Sequence, residues 1–259
     1  RTPEVVILSA EAFDRLAATD AAEGTLDLGA VVRSESPTTN AIGYLQGSDP
    51  AAGTLLIPAP WDHIGVRRGG VVMYGANDDA SGVAAVIELA RALAADGQPR
   101  RSILFAAYGS EELGLLGSQY FAEHPPVPLT DIVANLEIEM IGQQDPKMPA
   151  GVMMMTGFAR SHFGTLMKER GALIAPDLYP EQNFFQRSDN YQLALQGIVA
   201  HTISGWAVTP TYHTPEDTIA NLNLPFMTAA IQSLVEPLRW LANSDVRPQW
   251  TAEGRPTRD

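Results

Sequence analysis

The stretch RSILFAAYGSEELGLLGSQYFAEH, residues 101–124, joins a largely apolar run to an amphipathic run through two consecutive glutamates. The apolar part, residues 101–109, predicts a buried β-strand, and residues 111–124 predict a helix. A strand followed directly by a helix is the repeating unit of parallel sheets that are covered on both faces. The carboxyl end of such a strand is also where open α/β sheets place their functional residues.

The same alternation of apolar strands and amphipathic helices continues along the chain. Residues 81–96, SGVAAVIELARALAAD, predict a helix, and residues 131–142, DIVANLEIEMIG, predict a strand. Residues 41–47 and 53–60 are apolar runs separated by a turn-forming segment, and they predict two neighbouring strands. We therefore predict an α/β fold in which a central, mostly parallel mixed sheet is flanked by helices on both faces.

The sequence predicts a single domain over residues 1–259. With 259 residues and 45% hydrophobic content, the chain can bury one large core. We assign residues 1–40 to a peripheral segment with one helix over residues 9–19. Residues 41–245 form the predicted core, and residues 246–259 form a surface tail rich in proline and charge.

The composition excludes several classes of function. Thirty acidic against 17 basic side chains give a formal net charge of −13, so we expect no nucleic-acid partner. No apolar run approaches the length of about eighteen residues that a membrane span needs, so we expect no membrane partner. The absence of cysteine excludes disulfides, thiolate metal sites and a cysteine nucleophile. The oligomeric state stays open.

The adjacent glutamates Glu111 and Glu112 are unusual because two carboxylates near a core repel each other and lose hydration. A divalent metal ion would stabilise them. One carboxylate would bind the ion, and the other would take a proton from a water molecule that the ion acidifies. The alternative is that both are first-turn residues stabilised by the helix dipole.

Further acidic residues and one histidine lie at other predicted strand ends. Asp78 and Asp79 follow a strand and precede a helix, where they could cap the helix or bind a metal ion. Glu137 and Glu139 alternate with apolar residues, so both carboxylates point to one face of a buried strand. Buried carboxylates on one face would be stabilised by nearby cations. His213 lies in the proline-bracketed loop YHTPEDT.

Six blocks of sequence, taken in order, resemble the co-catalytic zinc exopeptidases, a superfamily that includes bacterial secreted aminopeptidases, glutamate carboxypeptidase and glutaminyl cyclase. The blocks are WDHIG (61–65), GANDDASGVAAVIELARAL (75–93), RSILFAAYGSEELGLLGSQYF (101–121), LEIEMIG (136–142), RSDNYQLALQGIVAHTIS (187–204) and YHTPEDT (212–218). They fall within residues 39–243, and the resemblance is nearest to the bacterial secreted aminopeptidases.

The resemblance implies that the domain is a metallopeptidase catalytic domain with two metal positions. Asp78 would bridge the two metal ions. Glu112 and His213 would complete the first position, and Glu139 would belong to the second. Asp78, Glu112 and His213 form a mixed set of oxygen and nitrogen ligands with an open fourth place, which is the composition of a catalytic zinc site.

The same resemblance makes Glu111 the general base, and Asp62 the residue that orients a ligand histidine two positions before it. Residue 60 is proline instead, and proline cannot bind a metal ion. His63 is the nearest substitute. Strand alternation places residues 61 and 63 on the face opposite Pro60 and Asp62, so His63 could help only if the chain turns sharply at Asp62.

We therefore expect one well-formed zinc site and a second site that is weak or occupied by a harder divalent ion. Without a histidine at residue 60, the second position keeps only Asp78, Glu139 and water. Oxygen-only ligand sets suit magnesium, manganese or calcium better than zinc.

The predicted function is that of a zinc-dependent aminopeptidase, a metallopeptidase acting on peptide or amino-acid-amide substrates. Glu111 would activate the hydrolytic water. Two alternatives stay open: a catalytically impaired binding or scaffold homologue, and a one-zinc acyltransferase similar to glutaminyl cyclase. The doubled acid at Asp78 and Asp79 is typical of the peptidases rather than the cyclases.

The expected location is periplasmic or secreted. The sequence starts at Arg1 with no initiator methionine and no leader, so we expect a processed chain. Many relatives of the family are secreted or periplasmic, and this expectation rests on them.

Overall fold

A computed structural model describes residues 8–19 and 35–257, and it divides into two compact units, residues 1–37 and residues 38–259. In the first unit the described residues form the predicted helix, α1 (Ala10–Ala17). The side chain of Ser9 caps this helix by accepting a hydrogen bond from the N–H of Ala12 at 3.2 Å. Much of the predicted peripheral segment, residues 1–40, lies outside the described residues.

The second unit contains the sheet and the remaining helices. Its strands are β1 (Ala41–Leu45), β2 (Thr54–Pro60), β3 (Gly65–Arg67), β4 (Val71–Met73), β5 (Ser102–Tyr108), β6 (Ile132–Ile138), β7 (Met153–Met155), β8 (Ile174–Pro176) and β9 (Ala200–Ser204). Its helices are α2 (Ser81–Ala95), α3 (Leu116–Glu123), α4 (Phe163–Glu169), α5 (Asn190–Leu195) and α6 (Leu224–Asn243). β3 and β4 form a separate two-stranded antiparallel hairpin.

The main sheet has seven strands in the order β1-β5-β2-β6-β9-β7-β8. β1 is antiparallel to β5 and β7 is antiparallel to β9, whereas the other neighbouring pairs are parallel. The predicted mostly parallel α/β sheet is thus confirmed. The prediction that β1 and β2 are neighbours is wrong, because β5 lies between them. β5 is apolar on both faces and needs an interior place, whereas β1 exposes Ile42 and Tyr44 and stands at the edge.

Helices cover both faces of the sheet, as predicted. Alternate residues of β2 point to opposite faces and pack into different apolar clusters. Leu55 and Ile57 pack with Leu89 of α2 and other residues of α2, α4 and α6. Leu56 packs on the other face with Phe121 of α3 and with residues of α5. The sheet is therefore buried between two helical layers, and its strand ends are the part of it that can carry a site.

The helix predicted over residues 111–124 begins later than expected, at Leu116. Before it, the N–H groups of Gly114 and Leu115 both donate to the carbonyl of Glu111 at 2.9 Å. Gly114 and Leu115 have φ values of 105° and 60°, which a right-handed helix cannot accommodate. Glu111 and Glu112 consequently lie in a loop, and the helix-dipole explanation for this acidic pair does not apply.

Arg101, at the start of β5, is a buried cation that ties the carboxyl-terminal residues to the sheet. Its side chain is 1% exposed. The guanidinium donates to the carbonyl oxygens of Ala52, Leu241 and Val246 at 3.0, 2.7 and 2.8 Å. Leu241 lies in the last turn of α6, where a positive charge is favoured by the helix dipole.

We expect Arg101→Met to lower the free energy of unfolding by about 2–4 kcal/mol, because three buried carbonyl groups would lose a charged donor. Arg91→Met is the matched control, since Arg91 is exposed and its partner among the described residues is Glu88, one helical turn away. We expect a change within about 0.5 kcal/mol for the control. Urea unfolding of both variants measures the difference, and equal effects would contradict the assignment.

Candidate active site

Three neighbouring parallel strands, β5, β2 and β6, end at the same edge of the sheet. Asp62 and His63 follow β2, Glu111 and Glu112 follow β5, and Glu139 directly follows β6. Because the carboxyl ends of parallel strands lie side by side, residues that are distant in sequence become neighbours here.

Two carboxylate oxygens and two histidine nitrogens come together beside this edge. His63 Nδ1 lies 3.0 Å from Oε1 of Glu112 and 3.7 Å from Oδ2 of Asp78. His213 Nε2 lies 3.0 Å and 3.3 Å from the same two oxygens. The structure therefore brings together three of the predicted metal ligands and adds His63 to them. We call these four residues the ligand cluster.

The ligand cluster fits a zinc ion. Three of its atoms are buried and, among the described residues, have polar neighbours only within the cluster: Nδ1 of His63, Oδ2 of Asp78 and Oε1 of Glu112. Each of these residues offers a ligand atom within 4.8 Å of the others. Buried polar atoms without partners cost free energy, and one divalent cation would satisfy all three. Histidine nitrogen and carboxylate oxygen are ordinary zinc ligands.

The charges in the ligand cluster depend on one another. Burial raises the pKa of Asp78, and the nearby charge of Glu112 adds to this rise. Burial also opposes ionisation of Glu112, but its contacts with His63 and His213 outweigh this and lower its pKa. The pKa of His63 is raised, because the carboxylates of Glu112 and Asp78 outweigh its own burial. The cluster thus needs a positive charge, whether from a histidinium or from a metal ion.

Asp217 holds the backbone that carries Asp78, and the sequence analysis did not single it out. Its side chain is buried and accepts hydrogen bonds from the N–H groups of Asn77 and Asp78 at 2.8 and 3.0 Å. Its own carbonyl accepts from the N–H of Ala76 at 3.2 Å. Asp217 lies four residues after His213, so the same loop carries one member of the ligand cluster and positions another. The short distance in sequence between His213 and Asp217 was the feature from which a role for Asp217 could have been predicted.

Asp62 holds the loop of the two glutamates. Its carboxylate accepts hydrogen bonds from the N–H of Glu111 at 2.8 Å and the N–H of Glu112 at 3.4 Å. The resemblance implies that this aspartate orients a histidine at residue 60. With Pro60 at that position, the described partners of Asp62 are backbone groups of the neighbouring loop.

Asp79 links the start of α2 to the end of β6. Its buried carboxylate accepts hydrogen bonds from the N–H groups of Met140 and Gly82 at 2.7 and 3.1 Å. Burial and the charge of Glu139 raise its pKa well above the usual range. For this pair the sequence predicted either helix capping or metal binding. Asp78 lies in the ligand cluster, whereas Asp79 accepts a hydrogen bond from the first turn of α2.

Glu111 and Glu139 line a cavity next to the ligand cluster. The hydroxyl of Ser188 donates to Oε2 of Glu139 at 2.6 Å. Burial and the charge of Asp78 raise the pKa of Glu139 to about 8, and burial and the charge of Glu139 raise the pKa of Glu111 to about 10. The other residues that line the cavity are Met154, Thr156, Phe184, Arg187, Ser188, Thr202, Ser204, Ala207 and Tyr212.

Glu137 points to the same side of the sheet as Glu139 but is enclosed. It is fully buried and accepts hydrogen bonds from the N–H of Asn190 at 2.5 Å and the hydroxyl of Thr202 at 2.9 Å. Burial and the charge of Asp189 raise its pKa well above the usual range. Glu137 therefore joins β6 to β9 and the start of α5 beneath the cavity.

Three residues at this edge have a left-handed backbone that side chains rarely adopt. Ser110, Met140 and His213 have φ values of 60°, 53° and 55°. The first two adjoin Glu111 and Glu139, and the third belongs to the ligand cluster. Backbone strain of this kind is concentrated at functional sites, where it gives side chains orientations that regular helices and strands do not provide.

His201 is a core residue and not a ligand. Its Nδ1–H donates to the carbonyl of Thr156 at 2.9 Å, so its Nε2 accepts the hydroxyl hydrogen of Ser161 at 2.7 Å. Burial lowers its pKa to about 4. His201 is accordingly neutral near pH 7.

A mixed α/β sheet with a carboxylate and histidine cluster at its strand ends is the arrangement expected of a metal-dependent hydrolase. Residues 40–236 match the sequence profile of peptidase family M28, and the chain belongs to this family. The resemblance inferred from the six blocks is thereby confirmed. Among the described residues, no helix has the length and apolar character needed to cross a membrane.

Proteins of known structure share the fold. The aminopeptidase from Aneurinibacillus sp. strain AM-1 superposes with a TM-score of 0.63 and 23% identity, over 85% of this chain and 52% of that one. The glutaminyl cyclase from Porphyromonas gingivalis gives a TM-score of 0.60 and 18% identity, over 77% of this chain and 76% of that one. At these identities, the similarity establishes the fold.

A curated relative is much longer than this chain. The vacuolar membrane protease of Candida dubliniensis is 23% identical over 213 residues, which are 81% of this chain and 21% of the relative. The chain thus spans about a fifth of that relative and about half of the aminopeptidase.

We expect Asp217→Asn to weaken zinc binding by about 10- to 100-fold, because the backbone of Asp78 would lose a charged acceptor. Glu216→Gln removes the same charge from the exposed neighbouring residue and should leave the affinity unchanged. Competition with a chromogenic chelator measures both affinities. An equal loss in the two variants would mean that net charge, and not the positioning of Asp78, controls binding.

Proposed function

We propose that this chain is a zinc-dependent exopeptidase, and more narrowly an aminopeptidase that hydrolyses the amino-terminal residue from peptides or amino-acid amides. The observation that carries the proposal is the position of Glu111. Its carboxylate lines a cavity that adjoins a cluster of buried ligand atoms without described partners outside the cluster. A metal site beside a carboxylate that binds no other described group is the arrangement that metal-assisted hydrolysis requires.

The metal would be held by Asp78, Glu112 and His213. Asp78 and Glu112 provide oxygen atoms, and His213 provides Nε2. A zinc ion held there would polarise the scissile carbonyl group and make a nearby water molecule more acidic. Asp217 and Asp62 would keep the ligands in place through the backbone hydrogen bonds described above.

Glu111 would act as the general base. Its carboxylate would take the proton of the attacking water and deliver it to the leaving amine. The high pKa of Glu111 arises from burial and from the charges of Glu139 and other nearby carboxylates. A bound cation would favour the ionised form, which a base requires.

The cavity suits a substrate with a free ammonium group. Glu139 provides an acidic wall, and an ammonium group next to it would offset part of the local negative charge. Phe184, Met154 and Tyr212 provide apolar surface for a side chain. An amino-terminal residue offers both features, and this is the reason for preferring an aminopeptidase.

Two other functions remain as alternatives. The similarity to a glutaminyl cyclase favours a one-zinc acyltransferase, in which an internal amine attacks the activated carbonyl. The loss of a histidine at residue 60 favours an impaired binding or scaffold homologue. The retained Glu111 argues against the second alternative, because a buried carboxylate with no task would only destabilise the protein.

The expected periplasmic or secreted location stays a prediction. The curated relative described above is named a vacuolar membrane protease, which is a different location from the expected one. Fractionation of the native host with an antibody against this chain would test the location.

We expect the protein to hydrolyse leucine p-nitroanilide when zinc is supplied and to lose this activity after treatment with a chelator. N-acetyl-leucine p-nitroanilide should resist hydrolysis, because acetylation removes the ammonium group. Release of nitroaniline from both substrates would exclude an aminopeptidase. Release from neither, together with loss of ammonia from a glutaminyl peptide, would indicate the acyltransferase.

We expect Glu111→Gln to lower kcat by roughly 10²- to 10⁴-fold, because the amide cannot take the proton of the water. Zinc content should not change, since Glu111 is not among the proposed ligands. Glu123→Gln, on the exposed end of α3, is the control and should keep full activity. Elemental analysis and initial rates measure the two quantities. A Glu111→Gln variant with normal kcat would disprove the assigned base.

A further inference from the structure

Pro60 removes the nitrogen ligand that a second metal position would need. It ends β2 and pairs with Tyr108 of β5, so the strand reaches the site with a side chain that has no donor atom. What remains for a second metal ion is the oxygen of Glu139 and a shared oxygen of Asp78. Such a set is a poor zinc site.

We propose that this chain holds a single zinc ion and that His63 is its fourth protein ligand, beside Asp78, Glu112 and His213, while Glu139 remains free of metal. The inference rests on the proposed function, because it specifies the metal centre of the same site. It differs from the two-metal arrangement that the family resemblance implies, and it assigns a ligand that the resemblance does not.

The distances to His63 carry the inference. Its Nδ1 contacts the same two carboxylate oxygens as Nε2 of His213, at 3.0–3.7 Å compared with 3.0–3.3 Å. Adjacent ligand atoms around a zinc ion with bonds of about 2.0–2.1 Å are separated by roughly 3.0–3.4 Å. Three of the four distances fall in this range, and the distance from His63 Nδ1 to Oδ2 of Asp78 exceeds it by 0.3 Å.

His63 has no other described partner for either ring nitrogen. Both ring nitrogens are buried; the polar neighbours of Nδ1 are the oxygens of Glu112 and Asp78, and Nε2 makes no hydrogen bond with the described residues. Burial of these groups costs free energy that their mutual contacts offset only in part. A metal ion bound to Nδ1 would give Oδ2 of Asp78 and Oε1 of Glu112 the same partner.

The backbone after β2 explains how His63 reaches the cluster. Strand alternation ends at Pro60. The next residue, Trp61, donates its backbone N–H to the carbonyl oxygen of Tyr108 at 2.9 Å and its indole N–H to the carbonyl oxygen of Thr39 at 3.1 Å. Beyond this anchor the chain leaves the sheet, so the alternation rule no longer decides where residue 63 points. Residues 61–64 lie between β2 and β3 and belong to no strand, and from this segment His63 Nδ1 lies 3.0 Å from Oε1 of Glu112.

Gly75 fixes the His63 ring from the other side. A Cβ atom added to Gly75 would lie 2.6 Å from Cγ and 2.8 Å from Cβ of His63, closer than such atoms can approach. Gly75 also has a φ of 65°, a conformation that glycine adopts at little cost. The close contact leaves the imidazole little freedom to turn away from the cluster.

Glu139 already has a hydrogen-bond partner, and it faces the cavity. The hydroxyl of Ser188 donates to its Oε2 at 2.6 Å. Without a second zinc ion, Glu139 is available to pair directly with the ammonium group of a substrate. Glu139 would then determine the affinity for the substrate and not the metal content.

Zinc content and zinc affinity test this inference. The intact chain is loaded with zinc, exchanged exhaustively into metal-free buffer and analysed for metal atoms per chain. His63→Gln, Glu139→Gln and the control His124→Gln are treated identically, because His124 is an exposed histidine outside the site. Gly75→Ala would crowd both His63 and the carbonyl oxygen of Asp78, so it perturbs the cluster as a whole. Circular dichroism verifies that each variant is folded.

The expected result is one zinc per chain in the unaltered protein, in Glu139→Gln and in His124→Gln. His63→Gln should lose zinc affinity by at least about 100-fold, and Gly75→Ala should lose it in the same direction. In Glu139→Gln, KM for leucine p-nitroanilide should rise while the zinc affinity stays unchanged. Pro60→His should raise the content towards two.

Two results would overturn the inference. Two zinc ions in the unaltered protein, falling to one in Glu139→Gln, would show a two-metal centre. One zinc whose affinity is the same in His63→Gln and His124→Gln would show that His63 is not a ligand. The proposed function fails separately: a single zinc that requires His63, with no hydrolysis of any amino-acid amide, would keep the metal centre and reject the peptidase.

Discussion

The constraint on which the rest of this site depends is the repulsion among carboxylates at the ends of β5, β2 and β6. Asp78, Glu111, Glu112 and Glu139 lie close together and away from bulk water, and burial raises the pKa of three of them. Only Glu112, which contacts both His63 and His213, has a lowered pKa. A fold that gathers negative charge in this way needs a cation at its centre.

The scaffold around the cluster uses other acids to position the first ones. Asp217 accepts backbone hydrogen bonds on the approach to Asp78, Asp62 accepts them from Glu111 and Glu112, and Asp79 accepts them from the start of α2 and the end of β6. These contacts join loops that follow different strands. Part of the excess of acidic residues in this chain is therefore structural, since these carboxylates accept hydrogen bonds from the backbone of the loops.

The change at residue 60 shows how a family arrangement can be altered without loss of the fold. Proline is tolerated at the last position of β2, where the strand leaves the sheet. Its presence removes the nitrogen donor that the family resemblance implies there, and the segment that follows β2 places Nδ1 of His63 3.0 Å from Oε1 of Glu112. A cavity lined by Glu139 and Glu111 lies beside the cluster. A peptidase built in this way would rely on protein carboxylates where a two-metal relative relies on its second ion.

The sequence by itself determined the α/β class, the positions of most strands and helices, and the blocks that carry the family resemblance, because hydrophobic period and short motifs are local properties. It also determined that residue 60 cannot bind a metal ion. Only the tertiary structure decided that β5 separates β1 from β2, that Glu111 and Glu112 precede the helix, that Asp217 supports Asp78, and that His63 meets His213. Each of these depends on contacts between segments far apart in the chain, and the period of a strand carries no information beyond the residue at which the strand ends.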